Sequence, residues 1–153
     1  MTVSQQEINI ALKSLGVSIC ALLIAQLIKF IIESIKRKKL YYRALISTGG
    51  FPSSHCALVT ALSFSLLALF DFKITIYFVI SLVSGLIVAH DAMGVRLQAS
   101  KHAEMLNDMN EELSDMGIVQ ASKPLKEMLG HQPLEVLGGI ILGIVIALIG
   151  WMI

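Results

Sequence analysis

The chain has 153 residues, 56% of them apolar and 15% charged, with a formal net charge of +1 and a mean hydropathy of +0.77. That balance excludes an ordinary soluble domain and gives no basic excess that would call for a nucleic-acid partner. Cys20 and Cys56 are too few, and too deep in apolar segments, for a disulfide framework; both are expected to be thiols.

In chain order, Met1–Ile10 lacks a basic n-region and a small-residue cleavage site, so the first apolar segment is expected to stay in the protein. Four stretches are long and apolar enough to cross a bilayer: Ile8–Ile35, Cys56–Phe70, Ile74–His90 and Leu134–Ile153. Lys13 and Lys29 lie near opposite ends of the first, and both ammonium groups are expected to snorkel to the headgroups. Asp71, Phe72 and Lys73 alone join the second and third stretches, which predicts a tight helical hairpin.

Between the third and fourth stretches, Val95, Ala99, Ala103, Leu106, Met109, Leu113 and Met116 recur at helical spacing, with charged residues mostly elsewhere on the wheel. This predicts an amphipathic helix, packed on the bundle as a lid or lying at the membrane interface, within an insertion of about 92–130. A turn near Gly117 and a short helix opened by Ser122, Lys123 and Pro124 then lead to Gly130 and His131. In the last stretch, Gly139, Gly143 and Ala147 form a small-residue ridge, expected to pack within the bundle or, secondarily, to form a homodimer. The predicted fold is all-α: one integral membrane domain, 1–153, with about four transmembrane helices and one amphipathic cytoplasmic insertion.

Four crossings place Lys36–His55 and Asp91–Pro133 on the same side of the membrane, and the cluster Lys36, Arg37, Lys38, Lys39 and Arg43 makes that side the cytoplasm. The polar groups gathered there include Lys36, Arg43, Ser53, Ser54, His55, Asp91, Arg96, His102, His131 and Glu135. Phosphoryl transfer needs cations and amides around the equatorial oxygens, a nucleophile in line and an acid for the leaving oxygen. This set contains each of them. His131 and Glu135, four positions apart at the start of the last helix, share a face, so the carboxylate can orient the imidazole. Each feature also has a plainer role: the basic cluster as a topology signal, Ser53 or Ser54 as a helix cap, His131 as a helix-entry residue.

Pro52-Ser53-Ser54-His55, Lys36 with Arg43 after six intervening residues, and Arg96 with His131 and Glu135 together resemble the type 2 phosphatidic acid phosphatase superfamily. That superfamily takes in the vanadium haloperoxidases, and the likeness is to its small divergent membrane branch. Its motifs read Lys-x6-Arg-Pro, Pro-Ser-Gly-His and Arg-x5-His-x3-Asp. Here Ala44 follows Arg43, Ser54 replaces the glycine, Glu135 replaces the aspartate, and the third motif is split by the amphipathic insertion. His102 also lies five residues beyond Arg96, but Leu106 stands where the acid belongs, so His131 is preferred. Lys38 and Lys39 are alternatives to Lys36.

The resemblance implies a metal-independent, cofactor-free hydrolase of membrane lipid phosphates. Lys36, Arg43, Ser53, Ser54 and Arg96 would hold the phosphate, His131 would form a phosphohistidine, Glu135 would orient it and His55 would protonate the leaving alkoxide. Asp91 is expected to support Arg96. Phosphatidylglycerophosphate or phosphatidic acid is the expected kind of substrate. The alternatives are a non-catalytic anionic-lipid binder, a small transporter or, last, a haloperoxidase.

Overall fold

The computed structural model describes residues 4–47, 49–120, 123–125 and 132–153, and of Arg96 only the backbone. Among these residues five α-helices form: α1 (Gln5–Lys36), α2 (Ser54–Leu69), α3 (Ile76–Met93), α4 (Val95–Asp115) and α5 (Pro133–Met152). A 3-10 turn, Tyr42–Ile46, lies between α1 and α2. The helix bounds follow local chemistry. Ser4 opens α1 with a reciprocal cap: its hydroxyl accepts from the Glu7 amide at 3.2 Å, and Glu7 Oε2 accepts from the Ser4 amide at 2.9 Å. Left-handed Asp71 and Phe72 (φ 54° and 58°) reverse the chain after α2, and the Thr75 hydroxyl then caps α3 by accepting from the Phe78 amide at 3.3 Å. The tight hairpin is therefore present.

Helix α2 is the hub, packed against α1, α3 and, most extensively, α5. Its small residues make this close contact possible. Ala57 and Ala61 meet Ala21 and Ala25 of α1 in a core that Val17, Leu142 and Ile146 close from the sides. On α5, Gly139 lies against the Ser53 carbonyl, and a Cβ on Gly143 would come within 2.6 Å of the Ala57 carbonyl oxygen. The glycine ridge, with Ala147, is thus buried inside the bundle. This is the packing within the bundle expected of it first; the described residues give no support to a homodimer through Gly139 and Gly143.

Serine hydroxyls inside the apolar helices bond back to their own turns: Ser14 to the Ile10 carbonyl at 2.8 Å, Ser18 to Ser14 at 2.6 Å and Ser63 to Val59 at 2.9 Å. No hydroxyl at these positions is left facing hydrocarbon. The outward face of α1, with Leu12, Leu15, Leu23, Leu27 and Ile31 exposed, is apolar and suited to lipid.

Among the described residues, three stretches are long and apolar enough to cross a membrane, Gln5–Lys36, Ile76–Asp115 and Pro133–Met152. Within the second, α3 is apolar and α4 is polar. Helix α2 is apolar but has only 16 residues, about 24 Å at 1.5 Å per residue. The second expected span is therefore this shorter helix, packed against α1, α3 and α5. It still runs from end to end of the bundle. At its start Ser53 meets α5, and at its finish Leu69 and Phe70 lie beside Gln6, Glu7 and Ile10 at the start of α1.

The amphipathic segment is helical, as its periodicity predicts. Gly94 separates it from α3, and α4 touches the bundle through α3. Ala103 is buried, whereas Met105, Leu106, Met109 and Met116 are exposed, so α4 does not cover the bundle as a packed lid. Asn107 holds the segment 123–125 from the side: its Nδ2 donates to the Leu125 carbonyl at 3.0 Å and its Oδ1 accepts from the Leu125 amide at 2.8 Å. The short helix expected from Ser122 and the residues 126–131 lie outside the described residues.

Candidate functional site

The chain enters α2 through a turn that a glycine, a proline and two serines shape. Gly50 has φ +97°, which a residue with a Cβ adopts only under strain. Ser47 braces the approach, its hydroxyl donating to the Gly49 carbonyl at 3.0 Å. Phe51 lies against Gly138 of α5, and Pro52 behind it is buried with a cis peptide bond. Ser53 then makes two commitments. Its hydroxyl caps α2 by accepting from the Cys56 amide at 3.4 Å, and its own amide donates to the Glu135 carbonyl at 2.9 Å. That second bond joins the Pro-Ser-Ser-His turn to the first turn of α5.

Glu135 sits in that first turn, half-buried, with Oε2 accepting from the Gln132 amide at 3.2 Å. Pro133 at the opening position suits a helix start, since its missing N–H has no intrahelical role there. Because Gly139 packs at Ser53 and Gly143 at Ala57, α5 runs parallel to α2, and both N-termini lie at the same end of the bundle. Two helix dipoles consequently direct their positive ends there. Antiparallel α1 and α3 bring their C-terminal turns to the same end, where Ala92 packs with Cys56 and Val136.

The structure brings Ser53, Ser54, His55 and Glu135 to this junction. Ser53 and Ser54 are buried and His55 is exposed. Asp91, half-buried, comes to the same end on the last turns of α3. Lys36 lies in the last turn of α1, with its side chain 67% exposed and its ammonium 3.8 Å from Glu33 Oε1. Arg43 is exposed on the 3-10 turn. His131 lies outside the described residues, and Arg96 is described only as backbone in the first turn of α4. His102 and His90 are exposed, His102 on α4.

Lys29 departs most from the expectation. It is 0% exposed and does not snorkel. Its stem lies under Gly50, where a Cβ would stand 3.5 Å from Lys29 Cδ, and its Nζ donates to the Ser47 carbonyl at 3.4 Å. Glu135 is within electrostatic reach of this ammonium. The physical reason is that the loop after α1 folds back along the helix and covers Lys29 before the side chain can reach a headgroup. A sequence signal for this exists: Lys29 continues the buried face Ser14, Ser18, Ala21, Ala25 of α1. A lysine on a helix's small-residue face points into the bundle.

Residues 10–146 match the family described as the Divergent PAP2 family. The chain is also 38% identical over 142 residues, 86% of its length and 89% of the relative's, to a protein of Bacillus subtilis (strain 168) described as the uncharacterized membrane protein YuiD. No solved structure matches the chain. With a family match over nearly the whole length, and with the Pro-Ser-Ser-His turn and Glu135 meeting at one end of an apolar helical bundle, the chain belongs to the Divergent PAP2 family.

Proposed function

We propose that the protein is a lipid phosphatase of the bilayer, hydrolysing a phosphomonoester such as phosphatidylglycerophosphate or phosphatidic acid through a phosphohistidine. The observation that carries the reading is the 2.9 Å backbone bond from Ser53 to Glu135. It links the turn bearing His55 to the helix that begins two residues after His131.

In the proposed first step an imidazole nitrogen of His131 attacks phosphorus and forms a P–N bond as the P–O bond to the lipid breaks, and His55 gives its proton to the departing alkoxide. Water then attacks phosphorus, His55 takes up the water's proton, and the P–N bond breaks to release phosphate. Glu135 orients His131. Lys36, Arg43 and Arg96 balance the charge on the equatorial oxygens, with Asp91 steadying Arg96. Ser53 and Ser54 contribute through the turn that heads α2, since the Ser53 hydroxyl already serves as its cap. The basic residues 36–39 at this end support a cytoplasm-facing site, where the substrate's tails stay in the bilayer.

The test is phosphate release from phosphatidylglycerophosphate or phosphatidic acid in mixed micelles, comparing wild type with His55→Ala and His131→Ala. A catalytic pair gives release that vanadate inhibits, loss of turnover in both variants with unchanged thermal stability, and an acid-labile phosphoprotein that His131→Ala abolishes. An anionic-lipid binder would hold these lipids without releasing phosphate, and that result would end the phosphatase reading.

A further inference from the structure

We propose that Lys29 is a positioning residue: a buried ammonium that ties the glycine turn ahead of α2 to Glu135 at the head of α5, and so keeps Ser53–His55 in register with the last helix. Two segments distant from it in sequence bear on this side chain. It arises from α1, its stem underlies Gly50, its Nζ donates to the Ser47 carbonyl at 3.4 Å, and the Glu135 carboxylate lies within its field.

An ammonium shut away from water is costly unless carbonyl dipoles and an opposite charge face it. Here Ser47 supplies the dipole and Glu135 the charge. The Ser53 amide meets the carbonyl of that same residue, so the electrostatic attraction and the backbone bond act on one short stretch of α5. Gly50 completes the arrangement: its left-handed backbone lets the turn close over the lysine stem at ordinary van der Waals distance. Lys36 lies seven residues further along α1, in its last turn, exposed and paired with Glu33, and makes no such link.

A double-substitution cycle on thermal unfolding of the full chain in one detergent tests the clamp, using Lys29→Met, Glu135→Gln and the pair. Each single change should lower Tm, and the pair should lower it by clearly less than the sum, because either change alone already removes the attraction between the ammonium and the carboxylate. Additive shifts overturn the proposal. If Lys29→Met does not fold, Lys29→Gln takes its place; if that also fails, rescue of folding by Lys29→Arg supports a charge requirement, and its failure refutes one.

The consequence for turnover rests on the phosphatase reading. Lys29→Met should cut kcat by about tenfold or more while KM stays within about threefold, because misplaced groups slow chemistry more than they weaken binding. Lys29→Arg should recover part of the loss. A parallel loss in KM, with no recovery by arginine, overturns the positioning role. Absence of turnover in wild type would defeat the phosphatase reading and leave the stability cycle to decide the clamp.

Discussion

Gly143→Ala probes the contact on which the bundle depends. The added methyl would stand 2.6 Å from the Ala57 carbonyl oxygen, 2.8 Å from Thr60 Cβ and 3.0 Å from the Ala61 amide nitrogen. Two of these three atoms are backbone and cannot rotate away, so α5 must retreat from α2 by most of an ångström to restore ordinary contact. Overpacking of this kind costs about 1–3 kcal/mol. The better helix propensity of alanine offsets about 0.5–1 kcal/mol. A net loss of about 1–2 kcal/mol should lower Tm by roughly 3–6 °C in a chain of this size. Gly85→Ala is the matched control, since its methyl would meet Val59 Cγ2 at 3.5 Å, an ordinary distance, and should leave Tm unchanged or raised. Thermal unfolding of both variants in the same detergent separates the two. A Gly143→Ala protein as stable as wild type would show that α2 and α5 are not in the close contact described.

Ser53→Ala removes the cap of α2 and should cost about 1 kcal/mol, read as a lower Tm in the same assay. Asn107→Ala removes both bonds to Leu125 and should speed amide hydrogen exchange at Leu125 while leaving exchange in α2 and α5 unchanged. Lys36→Ala should change stability by less than about 0.5 kcal/mol, because its side chain is exposed and its partner Glu33 lies one turn away on the same helix. A fall in Tm as large as that of Ser53→Ala would place Lys36 in the interior instead.

Hydropathy and punctuation in the chain carry most of the fold. The expected spans differ from the helices by only a few residues at their ends, and the left-handed pair Asp71 and Phe72 makes the hairpin that three linking residues imply. Helix α2 shows the limit of a length criterion. Its 16 residues are packed against α1, α3 and α5. The Gly139–Gly143 ridge was legible as a close-packing surface, but spacing cannot name the partner helix; the complementary Ala57 and Ala61 on α2 do that only once the chain is folded.

At the site, the meeting of Ser53 and Glu135 at one end follows from counting crossings. The role of Lys29 does not. A lysine near the end of an apolar span reads as a snorkelling residue wherever the following loop runs outward. In this chain the loop doubles back, and that return depends on the non-local contacts of Gly50 with Lys29 and Phe51 with Gly138.

The return of the loop has a further effect on how the bilayer meets the protein. Gly50 lies level with Lys29, seven residues before the end of α1, so the entrance to α2 sits about 10 Å beneath the rim marked by Lys36 and its basic neighbours. On the proposed reading, a headgroup would pass the basic residues 36–39 at the end of α1 before reaching this turn. On the proposed phosphatase reading, a phosphate held close to its acyl chains would reach that depth with less loss of hydration than a water-borne ester.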